Sequence, residues 1–186
     1  LAPPQPDQPL VAVPGAGTEV PIWLLGSSLF SARLAAERGL PYAFASHFAP
    51  ALLHQALAVY RGNFRPSATL AKPYVIVGVP LVAAETDEEA DFLATSIFQR
   101  VLGILRGDRR PLPPPVAGFL AGLSMQEKAG IGDFLGAAVI GGPDRVREGL
   151  SALRQATQAD ELMLVCDIFD PALRLRALDI AAAACA

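Results

Sequence analysis

The segment WLLGSSLFSARLAAERG, residues 23–39, sets a pattern that recurs along the chain. Residues 21–25 predict a short buried strand that ends at Gly26, and a helix follows, with Ser28 as its N-cap and Gly39 just beyond its end. The turn between them lacks the Asn, Asp or Pro of an ordinary chain reversal. It is therefore either a simple N-cap turn or a place where a phosphate group sits.

The same alternation of strand and helix continues through the rest of the sequence. Further strands are predicted at residues 41–46, 74–83 and 161–166, and further helices at 50–61, 86–105, 143–155 and 171–184. A Pro-rich loop covers residues 107–118, and one or two short helices are predicted within 119–139. Four strands, each followed by a helix, predict a parallel α/β sheet with right-handed crossovers. From the pattern alone, a small open sheet and half of an eight-stranded barrel both remain open, since a whole barrel needs roughly 250 residues.

Composition narrows the class of protein. The 186 residues suffice for one domain, residues 21–186, preceded by a Pro-rich loop or linker over residues 1–20 that has no signal-peptide pattern. The mean hydropathy of +0.38 reflects buried sheet or a lost interface, because no uncharged apolar run approaches the ~20 residues of a membrane span. A net charge of −3 without a basic stripe argues against nucleic acid as a partner. Cys166 and Cys185 form no metal or disulfide pattern, which fits a reducing cytoplasm.

Three blocks of sequence resemble the bacterial luciferase-like flavin monooxygenases, in particular the branch called luciferase-family oxidoreductases. They are VPIWLLGSSLFSARLAAERGLPYAFASHFAP (20–50), KPYVIVGVPLVAAETDEEA (72–90) and ADELMLVCDIFDPALRLRALDIAA (159–182). The resemblance runs from about residue 11 to the C-terminus. It implies that this α/β chain is the C-terminal half of a TIM (β/α)8 barrel, about four β/α units corresponding to strands five to eight, with strands one to four absent.

The resemblance also implies a cofactor and a place for it. The family uses FMN, with a deazaflavin less favoured here, and the turn that matches Gly26, Ser27 and Ser28 contacts the flavin phosphate. The residue types suit that role, because a glycine admits a phosphate to the backbone and the start of a helix offers free N–H groups and a positive dipole. The alternative for the same turn is an N-cap with no ligand.

His47 is the candidate catalytic residue. Alternation along residues 42–47 places Ala43, Ala45 and His47 on one face of the second strand and the bulkier side chains on the other. If the bulky face meets the helices, the small face lines the barrel and leaves room for a planar ring. His47 would then stand at the barrel mouth and could orient a flavin hydroperoxide or a substrate proton at neutral pH. The alternative is a locally hydrogen-bonded loop histidine, and His54 is predicted to lie on a helix surface.

Other polar residues are given structural roles. Asp170 precedes a proline and is predicted to cap the last helix, whereas Asp167 could line a site but has no acid or histidine partner by spacing. Cys166 is expected in a buried strand, and Gly142 in a structural turn. The acidic residues within 86–90 favour the positive end of a helix, so no metal site is predicted.

Two functions from different classes follow. The first is the C-terminal part of an FMN-dependent monooxygenase that uses reduced flavin and O2 to oxygenate a small organic substrate. The second is a truncated, non-catalytic half-barrel that self-associates or complements a missing half. Both lead us to expect a homo-oligomer or a partner that supplies the N-terminal half.

Overall fold

A parallel sheet forms the centre of the computed structural model, which describes residues 2–108 and 110–185. Within them the strands are β1 (Leu24–Gly26), β2 (Tyr42–Phe44), β3 (Val75–Ala83), β4 (Val139–Gly141) and β5 (Glu161–Cys166). The helices are α1 (Leu29–Arg38), α2 (Leu53–Asn63), α3 (Asp87–Leu105), α4 (Met125–Phe134), α5 (Pro143–Thr157) and α6 (Pro171–Cys185). Short 3₁₀ turns occupy Pro50–Leu52 and Phe119–Gly122.

The long strand β3 is the one on which the sheet is built. Its first residues pair with β2, which in turn pairs with β1, and β5 runs along its opposite side. The short strand β4 pairs with the last three residues of β3. Because Leu81 pairs with both Val139 and Cys166, β4 and β5 lie on opposite sides of β3. Among the described residues, β1, β4 and β5 therefore each pair with a single strand.

The strands and helices in the structure agree in part with those predicted from the sequence. The strands predicted at 74–83 and 161–166 and the helix predicted at 86–105 are confirmed within one residue. β2 is shorter than predicted because the chain turns at Ala45, whose carbonyl accepts the N–H of Phe48 at 3.0 Å. β4 begins at the last residue of the segment predicted for short helices, and its three residues are too few to show a strand period.

The two faces of the sheet have different surroundings. Tyr42 lies on the face covered by α1 and α2, where its hydroxyl is 3.1 Å from Ser31 Oγ and its ring centroid 5.3 Å from that of Tyr60. On the other face, Leu25 is 66% exposed and Met163 58% exposed, on the two outer strands. β3 is buried along its whole length. One face of the sheet is thus covered by helices. On the other, open face, the outer strands β1 and β5 are exposed on either side of the buried strand β3.

Side chains at the helix ends tie these elements together. Asp87 in the first turn of α3 accepts the N–H of Gly142, the N-cap of α5, at 2.7 Å. Glu127 and Ser124 form a capping box at α4, and the Arg106 guanidinium with these capping bonds lowers the pKa of Glu127 to about 2. None of the described helices is long and apolar enough to cross a membrane.

Candidate functional site

The predicted site residues follow the carboxyl ends of three parallel strands. Gly26, Ser27 and Ser28 come at the end of β1, His47 follows β2, and Asp167 follows β5. In α/β barrels the carboxyl ends of the strands carry the ligand site. The structure thus brings these residues to the same edge of the sheet.

The Gly-Ser-Ser turn is shaped by the first turn of α1. Ser28 and Ser31 form a reciprocal capping box, in which Ser28 Oγ accepts the N–H of Ser31 at 3.3 Å. A Cβ on Gly26 would lie 2.2 Å from Ser31 Oγ, so a glycine at this position is required by the helix start itself. The N–H groups of Leu29 and Phe30 have no acceptor among the described residues and are free to bind a ligand.

His47 lies on the open face of the sheet. Its Nδ1 is 2.6 Å from where a Cβ on Gly78 would be, and Gly78 shares a face with Ile76, the register partner of Ala43. The neighbouring Ser46 is fully buried and its hydroxyl donates to the carbonyl of Gly78. The turn after β2 is therefore anchored on β3, and it keeps His47 on the face predicted by alternation even though the strand has already ended.

The environment of His47 contains two charged side chains from distant parts of the chain. Burial is the main factor that lowers the pKa of His47, while Asp167 acts to raise this pKa and Arg100 to lower it. Arg100 Nη2 donates to Asp167 Oδ2 at 2.5 Å. His47 Nδ1, Arg100 Nε and the hydroxyl of Ser96, one turn before Arg100 on α3, are buried without a hydrogen-bond partner in the structure. These atoms are buried, so a ligand on the open face of the sheet would not reach them directly.

Sequence reasoning did not identify Arg100, and it left Asp167 without a partner. The two residues are 67 positions apart and follow different strands. The one sequence signal was a Ser-x-x-x-Arg spacing in α3, which puts Ser96 and Arg100 on the same face of that helix.

The remaining polar candidates have structural surroundings. Asp170 Oδ1 accepts the N–H groups of Ala172 and Leu173 at 2.8 and 3.1 Å, as predicted for the N-cap of α6. His54 is exposed on α2. Cys166 is half-buried, and its burial raises the pKa of the thiol. Within the residues that the structure describes, no three His, Cys, Asp or Glu side chains come together as a metal site.

Comparison with known proteins agrees with this arrangement. The family model for luciferase-like monooxygenases matches residues 2–160. The chain belongs to this family. A luciferase-like monooxygenase from Escherichia coli (strain K12) is 46% identical, over 91% of the chain and 50% of that protein. The chain spans about half the length of the curated relatives it matches.

Solved structures show the same fold. The crystal structure of apo-MsnO8 is 34% identical, with a TM-score of 0.73 over 96% of this chain and 54% of that one. The oxygenating constituent of 3,6-diketocamphane monooxygenase from Pseudomonas putida, in complex with FMN, is 22% identical, with a TM-score of 0.56 over 91% of this chain and 50% of that one. The parallel α/β architecture is that of the luciferase-like barrels.

Proposed function

We propose that the chain is the C-terminal half of an FMN-dependent luciferase-like monooxygenase. In this proposal β1, β2, β3 and β5 correspond to strands five to eight of the barrel, β4 is an addition beside β3, and residues 1–20 form a linker. The observation that carries it is the open sheet face, where Leu25 and Met163 are exposed although each lies on a strand of a parallel sheet. In a closed barrel this face is the packed interior.

The residues of the chain fit FMN. Gly26, Ser27 and Ser28, with the free N–H groups of Leu29 and Phe30, would hold the phosphate at the positive end of α1. On the open face beside this turn, the small side chain of Ala43 leaves space for a planar ring, whereas Gly78 is covered by His47. Reduced FMN, when bound, supplies the activation of O2 needed to oxygenate a small organic substrate.

His47 has the properties of a proton-handling residue beside that ring. Its lowered pKa keeps the imidazole neutral at pH 7, so that it can accept a proton from a substrate group. Its position above Gly78 holds it at the ligand edge of the sheet. The free cysteines Cys166 and Cys185 favour the reducing cytoplasm as the place of this activity.

Flavin binding tests the proposal through Ser27. Gly26→Val is unsuitable because its side chain would collide with Ser31, and Ser28→Ala would remove the helix cap. Ser27→Ala leaves the capping box intact, and we expect it to weaken FMN binding about tenfold, the equivalent of about 1.4 kcal/mol, by removing one hydrogen bond to phosphate. Binding is measured by quenching of FMN fluorescence with the chain combined with the N-terminal half of the Escherichia coli relative.

Ser151→Ala is the matched control, because Ser151 is exposed on α5 at a distance from the ligand edge. It should bind FMN as the wild type does. Equal affinity for Ser27→Ala and the wild type would remove the phosphate assignment from this turn.

The second candidate function is a non-catalytic half-barrel that self-associates. The same open face favours it, because exposed apolar residues and unpaired strand edges promote association. Sedimentation velocity of the chain alone, with and without FMN, tests the half-barrel that both candidates share, and FMN binding by the chain combined with the N-terminal half separates the two. We expect oligomers and weak FMN binding, and a monomer that binds FMN tightly would contradict the half-barrel interpretation.

A further inference from the structure

One charged side chain lies at the amino end of the open sheet face. Glu161 is the first residue of β5 and the only charged residue in the described strands. It pairs in register with Ile76 and alternates with the exposed Met163, so its side chain belongs to the open face. The hydroxyl of Tyr74 donates to Glu161 Oε1 at 2.6 Å, and Oε2 accepts no hydrogen bond within the described part of the chain. One carboxylate oxygen therefore remains for a further donor.

Two aromatic rings accompany this carboxylate. Trp23, directly before β1, packs edge-on against Tyr74, with ring centroids 5.5 Å apart and an interplanar angle of 83°. Trp23 alternates with Leu25 and is 39% exposed, so it lies on the same open face. Guanidinium and ammonium groups bind carboxylates and also pack favourably on aromatic rings. The surroundings of Glu161 thus suit a cationic side chain.

Closure of the barrel would take Glu161 out of water. The open face then becomes the packed interior, where a carboxylate is costly unless a cation or further donors compensate it. The strands of this chain cannot supply a cation, because none of those described contains lysine or arginine. A second copy would bring another Glu161 into the same interior and no strand cation with it. The charge therefore favours an N-terminal half over a second copy as the occupant of this face.

We propose that Glu161 and Tyr74 form a docking site for a cationic side chain on the N-terminal half that closes the barrel. The chain spans about half the length of the curated relatives it matches, so a segment of the required size exists in those proteins. The assignment rests on the proposed function in taking the open face as half of a barrel interior. It goes beyond that function by stating the charge that the partner segment carries and by giving Glu161 a role in assembly.

The experiment measures association of the whole chain with the N-terminal half of the Escherichia coli relative, without flavin, by isothermal titration calorimetry. Glu161→Gln removes the charge and keeps the size of the side chain. It should weaken this association at least about tenfold, because the cation would be buried without its partner. Glu161→Asp keeps the charge and should stay closer to the wild type. Glu148→Gln is the matched control, since Glu148 is exposed on the helix α5, and it should associate as the wild type does.

Two further measurements locate the contact and separate charge from packing. Trp23 is the single tryptophan of the sequence, so labelling this chain with 5-fluorotryptophan gives one ¹⁹F resonance on the open face. This resonance should shift when the N-terminal half binds. In sedimentation velocity of the chain alone, Glu161→Gln should self-associate more strongly than the wild type, because two copies no longer bring like charges together.

Opposite changes in Glu161→Gln, weaker binding of the N-terminal half and stronger self-association, would support the docking site. Weaker association in both assays would overturn it, because a merely loosened face gives that result. Equal binding of the N-terminal half by Glu161→Gln and the wild type, or a ¹⁹F resonance that binding leaves unmoved, would overturn this inference alone. Failure of the wild-type chain to bind the N-terminal half would overturn the half-barrel proposal along with it. Loss of the phosphate assignment in the Ser27 experiment would leave the docking site standing.

Discussion

Gly78→Ala is the substitution that tests most directly how His47 is held. The new Cβ would lie 2.6 Å from His47 Nδ1 and 3.2 Å from Cε1, while the nearest backbone atom, the carbonyl oxygen of Phe44, stays at 3.5 Å. The ring therefore has to retreat by about 0.8 Å to reach an ordinary contact of 3.4 Å, and the backbone does not have to move.

The cost in stability follows from two opposing effects. Overpacking a buried site destabilises by about 1–3 kcal/mol, and replacing glycine inside a strand returns about 0.5–1 kcal/mol. The net loss of about 0–2.5 kcal/mol corresponds to a fall in Tm of up to about 10 °C for a chain of this size. Since the displaced imidazole becomes more hydrated, its pKa should rise toward the ordinary value of histidine.

The assay combines thermal unfolding by circular dichroism with an NMR titration of the chain labelled with ¹³C and ¹⁵N in its two histidines, in which the pKa of His47 is followed directly. Gly132→Ala is the matched control: Gly132 is exposed on α4, and a Cβ there would meet nothing within 4 Å. This control should gain about 0.5–1 kcal/mol and leave His47 unchanged. An unaltered His47 resonance in Gly78→Ala would refute the contact between the two residues, and a much larger loss of Tm would refute the claim that only the ring moves.

Three further predictions concern stability. Burial lowers the pKa of His47 in the folded state, so below about pH 6.5 the unfolded chain binds more protons than the folded one. The Tm should therefore fall from pH 7.5 to pH 5. A Tm that stays constant over this range in His47→Asn would identify His47 as the titrating group. Tyr42→Phe should lose about 1 kcal/mol in urea unfolding, because it removes the hydroxyl bonded to Ser31 Oγ; no loss would mean that this hydrogen bond makes no net contribution. Thr86→Ala should cost about 1 kcal/mol by removing the acceptor of the Glu89 N–H, and recovery in Thr86→Ser would attribute the loss to the cap.

The elements with strong local signals could be predicted from the sequence. β3 is a nine-residue apolar run buried throughout, and α3 is capped by Thr86 and has acidic residues in its first turn, so both were predicted within one residue. The short strands were harder, because their ends depend on hydrogen bonds made after folding. The turn at Ala45 and the pairing of β4 with the end of β3 are examples.

The candidate site likewise combines features that the local sequence predicts with features that depend on contacts made after folding. The face on which His47 lies follows from alternation along β2, and the cap at Ser28 follows from its position before α1. The ion pair between Arg100 and Asp167 has no counterpart in sequence spacing, since it depends on how α3 packs against β3, β4 and α4. The steric demand for glycine at position 26 also comes from three-dimensional contact, here with Ser31.

The unequal pairing of the strands has a consequence for how ligands enter and leave. β3 exchanges hydrogen bonds with β2, β4 and β5, so its amide protons should exchange with solvent only when the sheet as a whole opens. β1 has one neighbour and three paired residues, so it can open locally. The proposed phosphate turn thus follows a strand that can open locally, and Gly78, beneath His47, lies on the strand with the most pairing partners. A flavin could be admitted or released by fraying of β1 while the histidine keeps its place.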